Sequence, residues 1–180
     1  MADTERSLST ILSLLANNAT GDISAQDLRD TVVSILPDYG NLYISTAAAT
    51  TLTTVDTYYE AAGTTTLGAN VEGFDMPANG RLRYTGVPTR IVLVTATMSM
   101  TASTNSQVLG FRLAKNGTTD VATEVQRKIG TGSDVGAASV SGVLSMATND
   151  YVSLFIENTT SGGTTVTLTK MSLVAQGTIS

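Results

Sequence analysis

An antiparallel β-sandwich or barrel carrying a short N-terminal helical arm is the fold class this sequence predicts, on three observations. Apolar residues recur at helical spacing only before Pro37. After it, stretches rich in Thr and Gly alternate apolar and polar positions with a period of two. Turn signals at Asn79-Gly80, Asn116-Gly117 and Ser161-Gly162-Gly163 punctuate those stretches, with no helical pattern between them. The arm is read as residues 1–37 and the β domain as residues 41–180.

Within the arm, a first helix is expected over residues 4–17, capped by Asp3 or Thr4 with Glu5 in its first turn. Leu8, Ile11, Leu12 and Leu15 fall on one stripe. A second helix starts at Ser24, with Asp27 placed to complete a capping box and Ile23 and Leu28 at the positions of a hydrophobic staple. Its stripe is Leu28, Val32, Ile35 and Leu36, and Pro37 stops it by disfavouring helical geometry at Leu36. Helices this short are marginal alone in water, so the stripes need cover. The chain's own β domain is one cover. The preferred reading is a trimerising or docking arm whose contact residues are Leu8, Ile11, Leu12, Leu15, Ile23, Leu28, Val32 and Ile35.

The β domain reads strand by strand. Residues 90–100 place Val92, Val94, Ala96, Met98 and Met100 on one face, while Ile91 and Leu93 predict burial of the other face at its start. Residues 107–114 align Leu109, Phe111 and Leu113, and residues 138–146 align Val140, Leu144 and Met146 around Gly142. Residues 151–157 set Val152, Leu154 and Ile156 against Tyr151 and Phe155, which again predicts cover on both faces. The last strand changes phase between Leu168 and Met171 at Lys170, as a β-bulge does.

Composition narrows the function. The 180 residues are 42% hydrophobic and 14% charged, which is a folding chain. The net charge of −5 divides into −3 for the arm and −2 for the remainder, with no basic stripe for nucleic acid. Cysteine and histidine are both absent, which removes disulfides, the usual general base and the usual zinc ligands. No secretory leader pattern and no apolar run of membrane-spanning length is present, so the expectation is synthesis in a cytoplasm without membrane insertion. Asp120, Glu124, Asp134 and Asp150 sit among turn residues and show no spacing of a glycosidase pair or a calcium loop. Gly130-Thr131-Gly132-Ser133 lacks the lysine and helix of a phosphate loop. Arg81, Arg83, Arg90, Arg127 and Lys128 read as solvated strand edges. No catalytic, cofactor or metal site is predicted.

The order of segments carries a resemblance. Gly80-Arg81-Leu82-Arg83-Tyr84-Thr85-Gly86 leads into Arg90-Ile91-Val92-Leu93-Val94, followed by Phe111 to Gly117, Thr148 to Asn158, and Thr165 to Ala175. This is similar to the jelly roll of the tumour-necrosis-factor and C1q type, as found in bacteriophage fibres and virion-surface proteins. Gly21 to Asp30 also resembles a segment near the N-termini of phage structural proteins. The resemblance implies a homotrimer with Tyr151 and Phe155 facing the axis, and Tyr58 and Tyr59 as further interface candidates. The expected protein is a complete small virion-surface protein made in the bacterial cytoplasm. A capsid decoration protein or short head fibre comes first, attached by residues 1–37 to capsid or tail proteins. The alternative is a tail-fibre or receptor-binding protein whose loops recognise host surface glycans. An enzyme is the least favoured class.

Overall fold

The computed structural model describes residues 6–16, 23–130 and 134–177. Two helices, α1 (Leu8–Ala16) and α2 (Ala25–Ile35), precede the strands. The expected cap of the first helix at Asp3 or Thr4, and the Gly130–Ser133 loop beyond Gly130, lie outside the described residues. The strands are β1 (Tyr39–Ala47), β2 (Ala49–Leu52), β3 (Tyr59–Glu60), β4 (Gly63–Leu67), β5 (Phe74–Ala78), β6 (Arg81–Tyr84), β7 (Arg90–Ala102), β8 (Val108–Lys115), β9 (Thr118–Thr119), β10 (Val125–Lys128), β11 (Gly136–Met146), β12 (Tyr151–Asn158) and β13 (Thr164–Gly177).

They form two antiparallel sheets. The first runs β11-β7-β13-β1-β4, with β2 added on β13. The second runs β10-β8-β12-β6-β5, with β3 on β12 and β9 on β8. The alternation read from the sequence sets the inner faces. Val92, Val94, Ala96, Leu42, Leu173 and Ala175 of the first sheet share one buried cluster with Leu109, Phe111, Leu113, Val152, Leu154 and Ile156 of the second. The phase change at Lys170 is a bulge: Leu168 pairs with Met100 and Lys170 with Ser99, so Thr169 is the extra residue and the inward set resumes at Met171. Asn116 and Gly117 both take positive φ, the geometry a two-residue hairpin turn requires.

Gly142 has a packing reason. A Cβ there would meet the methyl of Thr123 at 2.4 Å. Its absence lets the 3-10 turn Val121–Thr123 sit against β11, where the Thr123 hydroxyl accepts from the Leu113 amide.

On the chain by itself Ile91 and Leu93 are exposed, with no described element over the start of β7. Among the basic residues read as solvated edges, Arg127 and Lys128 are exposed on the edge strand β10. Arg90 is buried at 2% exposure and Arg81 and Arg83 are ion-paired. Glu124 is likewise an ion-pair partner of Arg112 rather than a turn acid; Asp120 and Asp150 accept from turn amides as expected, and Asp150 also pairs with Lys115.

Candidate interaction surfaces

The arm is a helical hairpin. Ser24 caps α2 by accepting from the Asp27 amide while the Asp27 carboxylate accepts from the Ser24 amide, the reciprocal box the sequence predicts. Hydrogen bonds from Ser24 hold the Asp27 carboxyl below its usual range. Arg6 bonds Asp30 at 2.8 Å and its amide reaches the Ser34 hydroxyl, tying the start of α1 to α2. Ile11 is buried at 3% exposure, outside the cluster that fills the sandwich. The other described stripe residues, Leu12, Ile23, Leu28, Val32, Ile35 and Leu36, remain 37 to 61% exposed. The staple positions Ile23 and Leu28 are therefore on the surface. The side chains of Leu8 and Leu15 lie outside the described ones.

One buried polar cluster joins arm to sandwich. Arg90, the first residue of β7, donates from Nε to Asp38 at 3.0 Å and from its terminal nitrogen to the Ser34 carbonyl at 2.8 Å. That carbonyl is in the last turn of α2, where a cation complements the helix dipole. Asp38 also accepts from the Tyr84 hydroxyl, and its carbonyl accepts from the Gly177 amide. Gly73, at φ +68°, passes so close that a Cβ would lie 2.2 Å from the Asp38 carboxylate. The arm is thus fixed to the end of the sandwich through its last turn, while its apolar stripe stays outside.

The two sheets present different outer faces. On the second, Tyr151 and Phe155 stand half-buried along β12 and Tyr58 precedes β3, which pairs with β12, and charge flanks both tyrosines. The Arg81 guanidinium lies 4.7 Å above the Tyr151 ring and pairs with Glu60. Arg112 lies 4.5 Å above the Tyr58 ring and pairs with Glu124. Burial, then the neighbouring Glu157 carboxylate, pushes the Tyr58 phenol above its usual value. The half-burial of Tyr58 and Tyr151 therefore comes in part from the chain's own arginines. Tyr59 does not join them: it packs toward the core and its hydroxyl bonds Thr53.

On the first sheet, Leu93 pairs with Val143 on one side and Gln176 on the other, and Gln176 pairs with Tyr39. Val174 lies in the next outward row and Tyr43 in the one beyond it. Tyr39, Tyr43, Leu93, Val143 and Val174 are 43 to 64% exposed. Leu93, which read as a covered outer position in the sequence, stands here with Val143 and Val174 on the polar phase of their strands.

No family model and no curated protein matches the chain. Among solved structures it is similar to murine APRIL at pH 5.0, with 12% identity over 77% of this chain and 98% of that one and a TM-score of 0.50. The fold is a jelly roll of the tumour-necrosis-factor type. PRD1 vertex protein P5 aligns at 12% identity over 79% of this chain and 97% of that one, with a TM-score of 0.45. Eiger TNF from S. frugiperda aligns at 13% identity over 81% and 94%, with a TM-score of 0.46. These likenesses concern the jelly roll alone.

Proposed function

We propose that the chain is a structural subunit of a bacteriophage virion, a homotrimer displayed on the particle and attached through its helical arm. The observation that carries this reading is the arm itself. Its hairpin is capped, internally ion-paired and fixed to the head, yet it leaves Leu12 and Leu28 more than half exposed. Contiguous exposed apolar surface of this kind marks an interaction site. The phrase Gly21 to Asp30, with its likeness to phage structural proteins, favours a virion as the larger partner. Capsid decoration or a short head fibre is the preferred role.

The test is incorporation. Leu12→Asp with Leu28→Asp is expected to remove the protein from particles while the purified variant keeps the mass and melting of the wild type. Particles carrying the variant at normal copy number would overturn the attachment role.

A further inference from the structure

We propose that the outer face of the second sheet, centred on Phe155, binds a neutral polyhydroxylated ligand, a segment of polysaccharide. The proposal goes beyond the virion reading and concerns the other sheet from Arg90, where the arm is fixed. Strand register builds the centre. Phe155 of β12 pairs with Arg112 of β8 on one side and with Glu60 of β3 on the other. Residues paired across a ladder share a face, so a half-buried ring stands between a donor and an acceptor. Adjacent strands lie about 4.8 Å apart, so the two flanking residues start about 10 Å from each other. That leaves room for one sugar ring and its hydroxyls above Phe155.

The flanking groups are in place before a ligand arrives. Arg112 gives Nε and one terminal nitrogen to Glu124, and Arg81 gives the same two to Glu60. The other terminal nitrogen of each guanidinium has no protein acceptor among the described residues. The stacks on Tyr151 and Tyr58 hold the two guanidiniums over the sheet. Ligand hydroxyls therefore meet fixed donors and a fixed carboxylate, with little ordering cost.

A second observation points to a polar ligand. Ser153, two residues before Phe155 on the same outward phase, is fully buried, and its hydroxyl has no partner among the described residues. Its cross-strand neighbour is Ala114, whose side chain offers no hydrogen bond. Buried hydroxyls are paired in the great majority of folded chains, with protein or with ordered water. A sugar seated beside Phe155 brings hydroxyls, directly or through a bridging water, to this atom.

Charge decides the class. Arg81 and Arg112 are each compensated by a carboxylate, and Glu157, buried on the same face beside Gly110, adds a negative charge. Phosphate, sulfate and uronate groups meet no net attraction here. An apolar partner would strand both ion pairs away from water. A neutral sugar does neither, because its hydroxyls bond the pairs while its C–H face covers the ring.

Calorimetric titration and amide-shift mapping on the full chain test this. The neutral probes are tetrasaccharides of glucose, galactose, mannose and N-acetylglucosamine, and the acidic probe is tetragalacturonate. At least one neutral probe is expected to bind, with shifts centred on residues 110–114 and 153–157. Tetragalacturonate should bind about 10-fold more weakly or not at all. Phe155→Ala and Glu60→Gln should each weaken binding about 10-fold or more, whereas Phe155→Tyr keeps the ring and stays within about 3-fold. Tyr43→Ser, on the first sheet, should leave affinity unchanged. The Glu60 side chain is partly exposed, so Glu60→Gln should keep the wild-type melting curve, which separates lost contact from lost fold. No binding by any neutral probe at about 10 mM, shifts confined to other surfaces, or full affinity in Phe155→Ala and Glu60→Gln would each overturn the site. So would a fall in molecular mass in Phe155→Ala, since another copy would then cover the ring. Tetragalacturonate binding tighter than every neutral probe would overturn the ligand class.

Discussion

Replacing Arg90 by Met removes the guanidinium from the junction of arm and sandwich and leaves the Asp38 carboxylate buried there. Both partners are almost wholly enclosed, at 2% and 8% side-chain exposure, so solvent does not screen the loss. Breaking such a pair from one side costs about 3–5 kcal/mol, because the remaining charge is uncompensated. The Tyr84 hydroxyl still donates to Asp38, which favours the lower half of that range. For a chain of this length a loss of about 3–5 kcal/mol lowers the melting temperature by about 6–20 °C. The Ser34 carbonyl loses its donor at the same time, so amides of α2 should exchange faster than those of β7 and β13. Circular dichroism melts and hydrogen exchange measure the two effects. Arg90→Met with Asp38→Leu removes both charges and should recover more than half of the lost stability. A single variant that melts within about 2 °C of the wild type would refute the reasoning, since a shift that small is what an ordinary surface substitution gives.

Other expectations follow from the same contacts. Gly73→Ala forces a Cβ to within 2.2 Å of the Asp38 carboxylate at a positive φ, and should cost about 2–4 kcal/mol in a thermal melt. Ser24→Ala removes the cap of α2 and should cost that helix about 1 kcal/mol, read as faster exchange over residues 25–35 with the sheets unchanged. Acid should weaken the head. Hydrogen bonds from Arg112 hold Glu124, and from Arg83 hold Asp75, below the ordinary carboxyl range near about 4. A carboxyl whose folded value lies below its unfolded one binds fewer protons when folded, so its stabilisation is complete above about pH 5 and is lost as pH falls through the folded value. Melting temperature should therefore be flat from neutral pH to about 5 and decline below about 4. The decline should be shallower in Arg112→Gln, where Glu124 has lost the main cause of its shift.

The inner faces were legible because alternation is a local signal. Val92 to Met100, Leu109 to Leu113 and Val152 to Ile156 each announce their buried side within one strand, and the phase change at Lys170 announces the bulge. Strands β1 to β4 were harder to read. Their inward positions include Thr50 and Thr65, so the apolar period is broken where a hydroxyl replaces a hydrocarbon in the packing. The outer faces were not legible, because an apolar residue on the polar phase reads the same whether a helix, another copy or water covers it. Leu93 suggested an enclosed strand and is exposed on the chain by itself; Tyr151 suggested an external partner, and the Arg81 guanidinium lies over its ring. The junction was out of reach for a different reason. Arg90 lies 52 residues from Asp38 and 56 from Ser34, and no local pattern brings them together.

The most direct test of a virion role for this chain is its copy number in purified particles, by quantitative mass spectrometry against the major shell protein. A virion role predicts a fixed stoichiometry in a multiple of three, lost when Leu12 and Leu28 are both changed to Asp. Particles from the producing host that contain none of the chain would contradict it.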